Sequence, residues 1–199
     1  MRIYAIRHGQ SEANLHRMHG GWAQVPLTEK GIAQAIAAGQ RLQGMHFDKV
    51  MVSDLLRAQQ TAEHVLPGFE YLPDLRLREI CLGSLEGRFV SDCEAELGEV
   101  YIARRKCWDF TAYGGENLQQ IQQRVSAFLE EMAKEPEDAQ VAAVCHEGTI
   151  LCMLRHVMGC DLPYLSAFAD NCSVSVFTFR DQHWVLNKWN ETGNLIPEA

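Results

Sequence analysis

The sequence predicts an α/β protein, a three-layer α/β/α sandwich around a central, mostly parallel sheet. Short apolar runs alternate with segments of helical periodicity along most of the chain, the order that crossover connections between parallel strands require. The last two apolar runs instead alternate with period two about the break "RDQ", which reads as a terminal hairpin or edge pair. With 199 residues, 47% of them apolar, the chain fills one sizeable core, so a single domain over residues 1–199 is expected.

The elements follow in order. Ile3 to Ile6 is a first strand, and "GIAQAIAAGQRLQ" from Gly31 to Gln43 spaces Ile32, Ile36 and Leu42 for a helix behind a Thr28 cap. "DKVMVS" is a short buried strand. "LLRAQQTAEHVL" places Leu56, Ala58, Ala62 and Val65 for a helix that stops before Pro67 and Gly68, and a strand is expected around Phe69 to Leu72. Leu118, Ile121, Val125, Phe128, Leu129 and Met132 form one helical stripe, and "AQVAAVCHEGTILCMLRHVMG" is strand, turn and helix again. "SVSVFTF" and "HWVLNKWN" make the terminal pair, and the segment from about Gly87 to Gly115 shows no recognisable pattern.

Eighteen Lys and Arg against 26 Asp and Glu give a net charge of -8, which argues against general nucleic-acid or acidic-membrane binding. No apolar run approaches the ~20 residues of a membrane span and no signal peptide is visible, so a cytoplasmic protein is expected. Seven cysteines between Cys81 and Cys172, without a CxxC pair, fit reduced thiols better than a disulfide framework or a thiolate zinc site. Cys145, beside His146, is the one expected to make activity sensitive to oxidants.

In open α/β sheets ligands bind where strands end. Arg7 and His8 follow the first strand, Arg57 lies one turn into the helix after the second, and His146 follows "VAAVC". Guanidinium and imidazole groups converging on one edge suit a tetrahedral phosphate dianion. Gly9 would let backbone approach the phosphate, and Ser11 and Asn14 open a short helix whose free N–H groups favour an anion. Glu79 in "LREICLGSLEG" is the candidate proton donor, since a carboxyl among anions and apolar walls can be held protonated near neutrality.

Other readings compete. "GQSEA" around Ser11 is close to a GxSxG nucleophile elbow, with Asp170 and His183 as the order-correct partners. His16 and His19 with His8 invite a zinc reading, but no ligand spacing or HExxH supports it, and no metal is assigned. "RRK" at Arg104 to Lys106 reads as a solvated helix face, or as a contact for a second anionic group.

Six motifs in order, "IRHGQSEAN", "PLTEKGIAQA", "VSDLLRAQQTA", "LREICLGSLEG", "GGENLQQIQQRV" and "AAVCHEGTIL", span nearly the whole chain. In these the chain resembles the histidine phosphatase superfamily, also called phosphoglycerate mutase-like. The resemblance implies that His8 is a nucleophile that becomes phosphohistidine. It implies that Arg7, Arg57 and His146 hold the phosphoryl oxygens, that Asn14 adds a hydrogen bond and that Glu79 donates the proton, with Ser11 a helix-opening residue. It implies no cofactor, because Arg and His supply the positive charge, and a small phosphorylated metabolite as partner. Sugar phosphates, phosphoglycerates, nucleotide-related monoesters and α-ribazole phosphate are all substrates the resemblance allows.

The chain departs from the family pattern at Glu147 (commonly Gly), Gln24 (often Asp), Asp54 (often Ser) and Leu85 (usually aromatic). A carboxylate at Glu147 is expected to keep His146 cationic or to repel acidic substrates. Mutases of the superfamily usually carry a longer insertion between the equivalents of Glu79 and "GGEN", which seals the phosphoryl group from water. The short segment here, roughly 87–115, favours a metal-independent phosphomonoesterase over mutase-type transfer. A non-catalytic phospho-ligand binding protein is the alternative of another class. The oligomeric state, a homodimer included, is open.

Overall fold

A computed structural model describes residues 1–159 and 167–193; Cys160 lies outside them. Six strands form one sheet in the order β3-β2-β4-β1-β5-β6. They are β1 (Arg2–Arg7), β2 (Lys49–Val52), β3 (Leu72–Pro73), β4 (Gln140–Cys145), β5 (Val174–Arg180) and β6 (His183–Glu191). β1, β4, β2 and β3 run parallel, whereas β5 and β6 add antiparallel. The "RDQ" break is a two-residue turn in which Asp181 and Gln182 both have positive φ, which matches the twist of the strands it joins.

Strand alternation sends side chains to two cores. Ile3, Ala5, Val141 and Ala143 pack with Phe128, Leu129 and Ile150 from α5 (Leu118–Met132) and α6 (Glu147–Met158). Tyr4, Ile6, Ala142 and Val144 pack on the opposite face with Ala35, Ala38, Ala58 and Ala62 from α2 (Glu29–Arg41) and α3 (Leu56–Val65). The result is the expected three-layer sandwich. Thr28 caps α2 as anticipated, its hydroxyl accepting from Gly31 N at 3.0 Å.

Two elements differ from expectation. The strand sought at Phe69 to Leu72 is only Leu72–Pro73, an exposed edge where Pro73 has no N–H to extend the ladder. The patternless segment holds a 17-residue helix, α4 (Val90–Lys106), which kinks at Gly98 (φ 61, ψ -152) and buries only Cys93 and Tyr101. The one-turn α1 (Glu12–His16) completes the set.

Register places the site. Arg7 lies opposite Cys145 on neighbouring strands, so the next residues, His8 and His146, leave the sheet at the same level. Ser53, directly after β2, joins them by donating its N–H to Val144 O at 3.0 Å.

Candidate active site

His8 is 3% exposed, and its Nδ1 lies 2.7 Å from the carbonyl of Gly9. A carbonyl only accepts, so Nδ1 carries the proton and Nε2 keeps its lone pair. Arg57 Nε donates toward that Nε2 at 3.3 Å. The guanidinium is itself fixed by the carbonyls of Ala23 (3.1 Å) and Gly21 (2.8 Å). Burial pulls Arg57 down to about 10, so it remains a cation at neutral pH.

His146 caps the start of α6 and is fully buried; its ring centre is 5.0 Å from that of His8. Its Nε2 meets Ser53 Oγ at 2.8 Å, and its Nδ1 has no partner among the described residues. Burial first, and then the nearby arginines, hold both imidazoles well below their ordinary 6.5. This corrects the expectation of a cationic His146. The edge carries two guanidinium cations and two neutral imidazoles.

Glu147 does not act on His146. Its Oε2 lies 3.2 Å from Arg7 Nη2, while Arg7 Nη1 donates to Ala169 O and the buried Arg7 Nε has no partner among the described residues. Burial raises the Glu147 carboxyl against the opposing pull of Arg7, with Glu79 and Asp170 adding to the rise.

Glu79 is delivered by the segment after β3. Its Oε2 accepts from Gly148 N, in the first turn of α6, at 3.2 Å, and its Oε1 accepts from Ile80 N at 2.9 Å. The segment is clamped from α5: Arg124 donates to the carbonyls of Arg76, Arg78 and Glu79 at 2.6–2.8 Å while paired with Glu116 at 2.9 Å. Trp22 Nε1 also donates to Glu79 O at 2.7 Å. A side chain at Gly148 would sit 2.1 Å from Glu79 Oε1, so the glycine leaves room for the carboxylate.

Ser11 and Asn14 cap α1 reciprocally. Ser11 N and Oγ donate to Asn14 Oδ1 at 3.1 and 3.0 Å, and Ser11 Oγ accepts from Asn14 N. Both line the cavity, of about 630 Å³, together with Arg7, His8, Arg57, Glu79 and Glu147. The elbow reading fails on geometry. Asp170 accepts from Asn190, and the exposed His183 meets Asp181 O, so neither reaches Ser11.

Gly9 has another role than the expected one. Its N–H donates to Thr61 Oγ1 at 3.0 Å, and a Cβ there would meet Gly31 O at 2.4 Å. Its smallness serves the contact between the strand end and α2, and it does not line the cavity. Cys145 is fully buried, and burial pushes its thiol well up, so the expected oxidant sensitivity there has no physical basis.

His16 is exposed beside Glu12, and among the described residues no group of three or more His, Cys, Asp or Glu could hold a metal ion. Two departures from the family pattern are structural. Gln24 Oε1 accepts from Leu56 N at 2.8 Å, capping α3, and Asp54 pairs with Arg78 at 2.6 Å.

His19, considered in the sequence only as a zinc ligand, instead meets Tyr101 OH on α4 at 2.6 Å. It lines the cavity together with Arg105, from the "RRK" run considered as a contact for a second anionic group, and with Trp108, which sequence reasoning missed. His19 and Trp108 sit in loops without a local pattern, and His19 and its partner are far apart in the chain.

An α/β sheet edge with two facing imidazoles, two guanidinium groups, one of them buried, and a carboxylate defines an enzyme of phosphoryl chemistry. Residues 3–192 match the sequence profile of the histidine phosphatase superfamily (branch 1), and the chain belongs to that superfamily. It is 30% identical over 198 residues to a probable phosphoglycerate mutase, GpmB, of Salmonella paratyphi A, covering 95% of this chain and 90% of the relative. The α-ribazole phosphatase of Shigella flexneri has the same fold, with a TM-score of 0.89 and 27% identity over the whole of both chains. A mycobacterial glucosyl-3-phosphoglycerate phosphatase, in a structure with VO3, aligns with a TM-score of 0.83 at 29% identity, over 95% of this chain and 98% of its own.

Proposed function

We propose that the protein is a metal-independent phosphomonoesterase that acts on a small phosphorylated metabolite through phosphohistidine at His8. The observation that carries this reading is the His8 tautomer: Nδ1 is tied to Gly9 O, so a neutral Nε2 lone pair faces the cavity beside Arg57. In the first step Nε2 attacks phosphorus, and the ester oxygen leaves with the proton of Glu79. In the second, Glu79 takes a proton from water, whose oxygen attacks phosphorus and releases phosphate and free His8.

In this reading Arg7 and Arg57, which line the cavity, meet the equatorial oxygens, where charge is spread in the transition state, and the third contact falls to His146, buried beside His8 with its Nδ1 unpartnered among the described residues. A bound dianion leaves the effect of burial on His146 in place but offsets that of the arginines, and so shifts this imidazole toward its protonated form. Asn14, whose Oδ1 is held by Ser11, has its amide N–H groups left for the ligand.

Mutase-type transfer is the second reading, favoured by the name of the Salmonella relative. Hydrolysis is preferred because the segment between Glu79 and Gly115 is short and, among the described residues, holds one kinked α-helix, α4, in place of the longer insertion that seals a phosphoryl group from water. The test is hydrolysis of p-nitrophenyl phosphate with a chelator present. Native protein turns over and His8→Ala loses more than ~10³-fold; full activity in the variant overturns the proposal.

A further inference from the structure

We propose that the alcohol esterified to the phosphate is flat and apolar, an aromatic group rather than a polyol, and that Trp108 is the surface it packs on. The proposal rests on the phosphomonoesterase reading. A side chain built on Gly148 would meet both Glu79 Oε1 (2.1 Å) and Trp108 Cζ3 (3.2 Å), so carboxylate and ring edge converge over one glycine. The ester oxygen that Glu79 protonates therefore departs alongside the Trp108 ring.

The ring is held there under strain. Trp108 has φ 54, the left-handed region that bulky side chains avoid. The conformation is over-determined by its surroundings: Trp108 N donates to Arg105 O (3.1 Å), Asp109 N donates to Arg104 O (3.0 Å), and Arg104 pairs with Asp109. Strain kept at a cavity wall is a mark of function.

Leu82, Phe110, Leu151 and the exposed Phe168 add apolar surface to the cavity lining. Polar side chains of the lining make contacts of their own: His19 is bonded to Tyr101, Arg105 to Glu94 at 2.7 Å, and Arg155 Nε to Gln122 at 3.2 Å. A polyol would have to compete with these contacts for its hydrogen bonds, whereas an aromatic ring loses only apolar hydration and stacks on Trp108.

The test compares kcat/KM for 2-phenylethyl phosphate and glycerol 3-phosphate, alkyl esters whose leaving alcohols are of similar basicity, with p-nitrophenyl phosphate as control. Native enzyme should prefer the aromatic ester by about tenfold or more, as burial of a ring implies. Trp108→Ala should bring the ratio to near one and Trp108→Phe should restore it. A native ratio at or below one, or a Trp108→Ala loss equal for both esters, overturns the proposal.

Binding of benzylphosphonate against methylphosphonate, neither of which can be hydrolysed, separates the two readings. If p-nitrophenyl phosphate is not turned over but benzylphosphonate binds about tenfold more tightly, the hydrolytic reading fails and the aromatic subsite stands. Equal affinities overturn the subsite.

Discussion

Arg7 and Glu147 form an ion pair of 3.2 Å inside the cavity, so a cation placed to meet phosphate already holds a carboxylate of the protein's own. A phosphoryl group must compete with Glu147 for the Arg7 guanidinium. Where the resemblance leads one to expect glycine, Glu147 adds a carboxylate to the cavity lining.

Glu147→Gln should therefore tighten anion binding, by roughly three- to tenfold at neutral pH for one removed charge near the surface. Sulfate as a competitive inhibitor reads this cleanly, because its charge is constant over the range. Burial raises the Glu147 carboxyl. The native inhibition constant should weaken as pH rises through that raised value and Glu147 ionises, and the Gln variant should lack this limb. Equal constants in both proteins would show that Glu147 leaves Arg7 when an anion arrives.

His8 and His146 are held neutral by burial and by the arginines. Unfolding restores their ordinary 6.5, so below that value the unfolded chain binds more protons than the native one. Stability is then full above 6.5 and falls on acidification, with a slope of about 1.4 kcal/mol per pH unit for each imidazole until the native group itself titrates. His19, lowered to about 4, adds to the same slope. Thermal or urea unfolding between pH 4.5 and 7 should show a shallower loss in His8→Gln than in the native protein.

Gly148→Ala should damage catalysis far more than folding. The added methyl would sit 2.1 Å from Glu79 Oε1 and must displace the carboxylate. A loss in kcat of ~10²-fold is expected, larger for esters with poor leaving groups than for p-nitrophenyl phosphate, as misplacement of a proton donor implies. Equal losses on both substrates would mean that the proton donor lies elsewhere.

The Arg124–Glu116 pair is 16% exposed on each side and ties α5 to the Glu79 segment. Removing Arg124 takes a donor from Glu116 and from three carbonyls; Glu79 O keeps Trp22 Nε1, Arg78 O keeps Thr149 Oγ1 and Glu116 keeps Cys81 N, while Arg76 O loses the donor shown for it. Arg124→Met should cost about 2–3 kcal/mol of stability and lower kcat more than it raises KM. Denaturant unfolding and steady-state kinetics check the two halves of this expectation.

The layers of the fold were legible because each buried strand and amphipathic helix carries its own period. Arg7, His8, Arg57 and His146 were legible because strand ends meet at one edge. α4 escaped because Gly98 interrupts it and it buries only Cys93 and Tyr101, too few apolar positions to set a period. Trp108 escaped because what brings it to the site, its approach to Gly148, comes from a distant part of the chain, and the contact of His19 with Tyr101 escaped for the same reason. Gly9 was misassigned for a related reason: the packing that requires a glycine comes from Gly31, across the contact with α2. For Glu147, adjacency to His146 suggested a pairing, but the start of α6 directs its side chain to Arg7 instead.

The central claim is tested most directly by trapping the intermediate. In Glu79→Gln supplied with p-nitrophenyl phosphate, whose leaving group needs little protonation, hydrolysis of the intermediate should be slowed more than its formation. Mass spectrometry of the quenched protein should then find an acid-labile phosphoryl group on His8. A phosphoryl group on Ser11, or turnover by native protein with no adduct on His8 in either form, would contradict the account.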